Sequence, residues 1–290
     1  MAGEFFATAP LAFKGYDITE DQLSTMETCI RDEVTVEDAA KRLTEHTAAA
    51  SSPLEVQQRL SGLWTLLNDT AVALPSAQSR IIAILQSIRK LPKLDVPRGE
   101  GEYFIDLDDG FVWRELTGWA NNWADTYNYH GSRFVIESYS PEEHAARKAC
   151  WINANAYTAR LAATGEPELT SYGAALDRAS RVIVEALEVD HGENKPAQLE
   201  AAAELFKHAA AELYRRSQQK SHLGSLVSLR TNRDGKSPTR EQFHDAEGYS
   251  MDIWNAWKRM WEFFSAQPSS SEEARAASYA ALMAMREAES

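Results

Sequence analysis

Carboxylates and tryptophans meet in the segment of the sequence that is richest in groups able to do chemistry. Residues 106–109 read Asp-Leu-Asp-Asp, and Trp113, Trp119 and Trp123 follow. Paired carboxylates resemble the magnesium-binding acidic motif of terpene cyclases, which also need a second metal-binding triad that this chain does not clearly supply. In the alternative interpretation, which we favour, the carboxylates cap a helix and complement its dipole in the first turn.

A polar line runs beside these tryptophans if residues 108–127 form one long helix, as their pattern predicts. Arg114, Asn121 and Asp125 then share one face, at i, i+7 and i+11. A polar line next to indole rings could wall a cleft for a flat or apolar small molecule. The simpler interpretation is an exposed face with one Arg–Asp network, which is favoured because ion pairs are commoner than sites. The pocket candidates of this segment are Trp113, Trp119, Asn121 and Trp123.

A second polar group lies in the stretch 151–161, where Asn153, Tyr157 and Arg160 align at i, i+4 and i+7 of a predicted helix. At the edge of an apolar stripe these side chains should be half buried, and they therefore need partners. Glu185 or Glu188 on the next helix could pair with Arg160. An architectural role is favoured, and the functional alternative is a polar lining that orients a ligand carbonyl.

The motifs of common catalytic classes are missing from the sequence. Glu241 and His244 form a single Glu-x-x-His pair, whereas a di-iron bundle needs two such pairs. HExxH, G-x-S-x-G, Walker A and a dinucleotide-binding glycine motif do not occur, so we expect neither a metal nor a cofactor. A general acid or base at His130 or Asp125 stays open. The weak catalytic candidates are Asp125, His130 and Arg160.

Charge and cysteine content restrict the compartment and the partners. Thirty basic and 43 acidic residues give a net charge of −13, which disfavours nucleic acid and anionic membranes. The sequence contains neither a membrane-spanning apolar run nor a secretory signal. Its two cysteines, Cys29 and Cys150, do not form a disulfide framework. We therefore expect an acidic cytoplasmic protein with a small-molecule metabolite as its partner, in an oligomeric state that the sequence leaves open.

Helix start signals recur along the whole chain, whereas β alternation is nearly absent. Thr19, Thr35, Ser52 and Ser140 each precede a capping pattern, and Ser250 and Ser271 do the same near the end. Residues 134–136 are the best candidate for a short strand, and residues 91–107 and 218–238 are predicted loops or linkers. The sequence thus predicts an all-α protein. Residues 1–290 would form a single domain of about ten helices, an antiparallel bundle or an irregular α-superhelix.

An aromatic stripe marks the helix that Ser250 caps. Trp254, Trp257, Trp261 and Phe264 follow at helical spacing. Burial in the core is the default expectation for such a stripe. If the stripe were exposed, it would be a surface for a partner protein.

The stretch from Trp151 to Leu161 reads Trp-Ile-Asn-Ala-Asn-Ala-Tyr-Thr-Ala-Arg-Leu. It is the best of several stretches that together resemble the fungal domain-of-unknown-function family 3632, which is also described as similar to oxopyrrolidine-biosynthesis cluster protein G. Three further features support the resemblance: Leu91-Pro92, the predicted helix with Trp113 and Trp123, and the stretch Tyr249-Ser-Met-Asp-Ile-Trp254. The resemblance spans about residues 50–265 and carries no catalytic residues over.

Two functions follow as expectations. The resemblance implies an accessory protein of fungal specialised (secondary) metabolite biosynthesis, of the polyketide or polyketide–nonribosomal-peptide type, at an undefined step. Such a protein could act as a cofactor-independent cyclase, isomerase or dehydratase, because preorientation and one acid/base group suffice for that chemistry. The alternative is a non-catalytic helical binding or adaptor protein. Whether the chain is an enzyme stays open at this level.

Overall fold

A computed structural model describes residues 2–97, 105–107, 109–133, 139–170, 176–188, 195–221 and 248–290. Within these ranges the chain forms helices and connecting turns, and its β features are isolated bridges, one between Lys14 and Tyr16 and one at Gly248. The all-α class expected from the sequence is confirmed. The strand candidate at residues 134–136 and most of the predicted loop at 218–238 lie outside the described residues.

The α-helices of the described residues are numbered here along the chain. They are α1 (Ala2–Ala12), α2 (Glu20–Ile30), α3 (Val36–Ala48), α4 (Pro53–Ala73), α5 (Gln78–Ile88), α6 (Val112–Glu115), α7 (Trp119–Arg133), α8 (Pro141–Ala163), α9 (Leu176–Glu188), α10 (Lys195–Gln218), α11 (Met251–Ala266) and α12 (Glu272–Ala288). Each helix in these ranges is too short or too polar to cross a lipid bilayer.

Local capping explains where these helices begin. Thr19 and Ser140 form complete capping boxes, in which the cap hydroxyl accepts from the third helical N–H and the third side chain accepts from the cap N–H. Ser52 caps α4 with proline in its first turn. The caps predicted at Thr35, Ser250 and Ser271 are also formed.

The predicted long helix over residues 108–127 is wrong, because the chain turns between α6 and α7. Leu116 adopts a left-handed conformation with φ 49°, and Gly118 follows with φ 80°. The amides of Thr117 and Leu116 donate to the carbonyls of Val112 and Trp113, at 3.0 and 3.2 Å, which is a Schellman-type helix end. Leucine is unusual at the left-handed position, so the residue pattern does not predict this break.

The carboxylates of residues 106–109 were expected to cap a helix and to lie in its first turn, but Asp109 instead stands before α6. The amide of Phe111 donates to Oδ1 of Asp109 at 2.8 Å, which closes a turn just before α6. Phe111 itself stands at the cap position of α6 and has no side-chain hydrogen bond to it. Asp109 therefore shapes the approach to the helix and is not part of its first turn.

The chain groups into two compact units, one mainly of residues 1–129 and the other mainly of residues 130–290. In the first unit, α3 packs against α2, α4 and α5 around fully buried Met26, Leu43 and Leu63. In the second, α10 packs against α8, α9, α11 and α12. The single-domain organisation predicted for residues 1–290 stays a prediction.

The aromatic stripe of α11 forms the core of the second unit. Trp254, Trp257 and Trp261 surround the ring of Phe206 on α10, with ring centroids 5.5 to 6.1 Å from it. All four side chains are fully buried. The default expectation for this stripe is confirmed, since burial removes these indoles from any surface that a partner could touch.

Candidate functional site

The central tryptophans lie in the core of the first unit. Trp119 and Trp123 are fully buried and Trp113 is 4% exposed. Trp64 on α4 joins them there, because its indole N–H donates to the carbonyl of Thr117 at 2.9 Å, in the turn between α6 and α7. The indoles thus anchor that turn on α4, and their shared position is set by packing.

A chain of hydrogen bonds accompanies the buried indoles. Trp119 Nε1 donates to Asn68 Oδ1 at 3.1 Å, and Asn68 Nδ2 donates to Asn122 Oδ1 at 2.8 Å. Asn122 Nδ2 then donates to the hydroxyl of Thr65 at 3.0 Å. Buried polar groups of this kind are stable when each has a partner, and here each donor finds an acceptor on the facing helix. We call these four residues the asparagine network.

The polar line expected beside the tryptophans faces solvent. Asn121 and Asp125 are exposed on α7. Arg114 is 55% exposed, pairs with Glu115 at 3.0 Å, and stacks on the ring of Phe111. Asn122, the next residue after the predicted Asn121, is the one that enters the interior. Its partners lie on α4, more than 50 residues earlier, so spacing within one helix could not identify it.

Asp69 is a titratable group that the sequence pattern did not reveal. It follows Asn68 on α4, and burial alone raises the pKa of its carboxyl to about 6. Among the described residues, no hydrogen bond or ion pair holds it. A carboxyl of this kind exchanges its proton close to neutral pH, which fits it for proton transfer or for setting a pH dependence of stability.

In the second unit, Asn153, Tyr157 and Arg160 lie on α8 as predicted. Asn153 and Arg160 are half buried, which confirms that expectation, and Tyr157 is fully buried. Burial raises the pKa of the Tyr157 hydroxyl, so this group stays neutral at any physiological pH. Of the suggested partners of Arg160, Glu188 is fully buried and accepts from the indole N–H of Trp257 at 2.9 Å.

His130 lies in the last turn of α7, opposite the first half of α8. It is half buried, and burial together with the positive charge of Arg147 lowers the pKa of its imidazole to about 4. A methyl group built on the neighbouring Gly131 would lie 3.0 Å from the ring of Trp151. The two helices therefore touch at this point, and the contact fixes the backbone that carries His130.

Arg147 is stacked but not paired. Its guanidinium carbon lies 4.1 Å from the centroid of the Tyr139 ring, and the same ring makes an edge contact with His144. Its Nε–H is fully buried and has no acceptor. No described carboxylate forms an ion pair with this arginine, in contrast to half-buried Arg59, Arg80 and Arg216. We call His130, Tyr139, His144 and Arg147 the His–Arg cluster.

The described residues also leave a surface groove of about 530 Å³ in the first unit, where the turn between α2 and α3 faces α5. Its lining includes Glu33, Thr35, Arg80, Ser87 and Lys90, and none of the predicted site residues. Arg80 donates to the carbonyl of Cys29, and burial raises the pKa of the Cys29 thiol. This cysteine is thus a core residue and a poor nucleophile at neutral pH.

Of the predicted site residues, His130 lies close enough to the guanidinium of Arg147 for that charge to lower its pKa. Sequence reasoning missed Arg147, which stands beside Lys148 and belongs to no recognised motif. Tyr139 lies just before the helix start predicted at Ser140. Nothing in the spacing of these three residues pairs them, because they meet only where the end of α7 packs against α8.

No group of three or more His, Cys, Asp or Glu side chains in the described ranges is arranged to hold a metal ion. The residues of the His–Arg cluster can themselves bind an anion, through the guanidinium, and transfer a proton, through an imidazole.

Comparison with protein families matches residues 64–261 to the family described as "Protein of unknown function (DUF3632)". The match covers more than half of the chain, so the chain belongs to this family. The matched segment contains the asparagine network, Asp69 and the His–Arg cluster. No curated protein and no solved structure matches the chain. The family description assigns no activity, so the function is argued from the site.

Proposed function

We propose that this protein is an accessory enzyme of fungal specialised (secondary) metabolite biosynthesis, of the polyketide or polyketide–nonribosomal-peptide type. Within such a pathway it acts as a cofactor-independent cyclase, isomerase or dehydratase. The resemblance of its sequence motifs supports the pathway class. The observation that carries the enzymatic part is the neutral imidazole of His130 beside the cation of Arg147.

The chemistry asks only for a proton acceptor and a means of positioning. With a pKa of about 4, His130 is neutral at physiological pH, and a neutral imidazole can take a proton from the substrate. The resulting imidazolium returns the proton to another atom in an isomerisation, or to a departing hydroxyl in a dehydration. Arg147 positions the substrate and offsets negative charge that develops as the proton leaves.

The adaptor alternative had two supports, the absence of catalytic motifs and the tryptophans of α11, and it loses the second of them. An exposed aromatic stripe around Trp254 would have been a docking surface, but Trp254, Trp257 and Trp261 are fully buried. The guanidinium of Arg147 is half buried and has no carboxylate partner among the described residues. Such a group does not strengthen a core, which argues against a purely structural role for the His–Arg cluster.

The proposal is tested in a strain whose gene is replaced by the His130→Gln variant. Metabolites are profiled by mass spectrometry beside the parent strain and a strain carrying His208→Gln, a matched control at a histidine paired with Glu204 on α10. We expect one pathway product to fall by about 100-fold or more and an intermediate to accumulate only with His130→Gln. Unchanged product levels, with normal amounts of folded variant, would contradict the enzymatic role.

A further inference from the structure

The clearest unexplained group of the described residues is the guanidinium of Arg147. A half-buried cation is normally paired, because removing charge from water is costly. Arg59, Arg80 and Arg216 follow this rule, with carboxylate oxygens of Asp17, Asp32 and Glu212 as partners. No carboxylate oxygen of the described residues forms an ion pair with Arg147, and its Nε–H, like that of Arg59, is buried without a hydrogen-bond acceptor.

Stacking holds this guanidinium in place without satisfying it. The Tyr139 ring supports one face of the guanidinium plane at 4.1 Å, which leaves the edge with its N–H donors unused. A planar set of N–H donors matches a carboxylate, which accepts two parallel hydrogen bonds from arginine. The side chain also keeps part of its surface in contact with solvent, so a ligand can reach it.

We infer that Arg147 binds a carboxylate of the substrate, on the site where His130 moves the proton. The inference rests on the proposed function and names its substrate class: a small organic acid whose reacting atom lies within reach of the imidazole. The bound carboxylate supplies the missing anion and completes an arrangement of anion, guanidinium and tyrosine ring. It also offsets the charge of Arg147 on His130, which makes the imidazole a better base when substrate is present.

The test uses the whole purified chain and benzoate as the probe, with neutral benzamide as the matched probe of the same shape. Binding is followed by NMR through the imidazole signals of His130. We expect saturable shifts with benzoate and none with benzamide. In Arg147→Gln we expect affinity for benzoate to fall by about tenfold or more, because one charge-assisted pair is lost.

Arg114→Gln is the matched control, since Arg114 also stacks on an aromatic ring but already has Glu115 as its partner. This variant should bind benzoate as the parent does.

Arg147→Lys keeps the charge and loses the planar donors, so it tests the inference even if Arg147→Gln folds poorly. The affinity of Arg147→Lys for benzoate should lie between that of the parent and that of Arg147→Gln. Equal affinity of the parent and both Arg147 variants, or no benzoate binding by the parent, overturns the inference.

The outcomes also separate this inference from the proposed function. If His130→Gln abolishes the pathway product but Arg147 binds no benzoate, the enzyme stands and its substrate is not an acid recognised here. If benzoate binds through Arg147 but His130→Gln leaves the product unchanged, the carboxylate site stands and the proton-transfer role of His130 is wrong.

Discussion

The asparagine network and the His–Arg cluster differ in how their polar groups are satisfied. In the network, each donor is hydrogen-bonded to the next residue in the order Trp119, Asn68, Asn122, Thr65. The two helices α4 and α7 therefore supply both donors and acceptors. In the cluster, Arg147 stacks on a ring and forms no ion pair with a carboxylate of the described residues. The network stabilises the fold through its own hydrogen bonds, whereas the cluster is where we propose that a ligand binds.

The two regions also respond to pH in opposite directions. Asp69, beside the network, has a pKa raised to about 6, so its folded form holds a proton more tightly than the unfolded chain does. Its contribution to stability is present at low pH and is lost as the pH rises from about 4 to about 6. His130 has a pKa lowered to about 4, so stability is lost as the pH falls from about 6.5 to about 4.

The largest effect is expected from opening the asparagine network. Asn68→Ala leaves the indole N–H of Trp119 without its acceptor and takes away the donor to Asn122. We expect the free energy of unfolding to fall by about 4 kcal/mol, since two buried polar groups lose their partners. Urea denaturation measures it. The control is Asn121→Ala on the exposed face of α7, which should change stability by less than about 0.5 kcal/mol.

A smaller effect of opposite sign is expected at Asp69. Asp69→Asn removes a carboxylate that burial disfavours, so the variant should be more stable than the parent at pH 7 by up to about 3 kcal/mol. The gain should vanish near pH 4, where the parent carboxyl is protonated in the folded state. Thermal unfolding at both pH values measures it, and exposed Asp125→Asn serves as the control. A gain that does not change with pH would contradict the assignment.

His130 should give a still smaller effect, and at acid pH. At pH 5 the imidazole is neutral in the folded protein and protonated in the unfolded chain, so proton uptake favours unfolding. His130→Gln removes this effect, and the variant should therefore be about 2 kcal/mol more stable than the parent at that pH. At pH 7 the two proteins should be similar, because the imidazole is neutral in both states. Denaturant titrations at the two pH values separate these cases. A difference that is larger at pH 7 would argue against a neutral His130.

The smallest change in stability is expected at Arg147, which sharpens the contrast with Asn68. Arg147→Gln removes a stacking contact and no ion pair, so the cost should stay below about 1 kcal/mol. The same variant should raise the pKa of His130, measured by NMR titration, because one of its two causes is gone; burial keeps it below the ordinary value. A cost like that of Asn68→Ala would mean that Arg147 is structural.

The fold was largely predictable from the sequence, and the candidate site only in part. The caps at Thr19, Ser52 and Ser140 could be read because each hydrogen bond closes within three residues. His130 was named as a candidate because it stood in a loop-like segment near tryptophans. Its partner Arg147 was not named as a candidate. His130 lies at the end of α7 and Arg147 in the first half of α8, and no rule of sequence spacing connects two such positions.

The sequence by itself determined the all-α class and most helix starts, because propensity, periodicity and capping act over one or two turns. The tertiary structure decided where the helix after Phe111 breaks, which asparagine enters the core and that Arg147 forms no ion pair with a carboxylate of the described residues. Asn68 and Asn122 are 54 residues apart, and they meet only after α4 and α7 have packed. The reason is physical: burial and the partners of polar groups depend on contacts between distant segments, which no local pattern encodes.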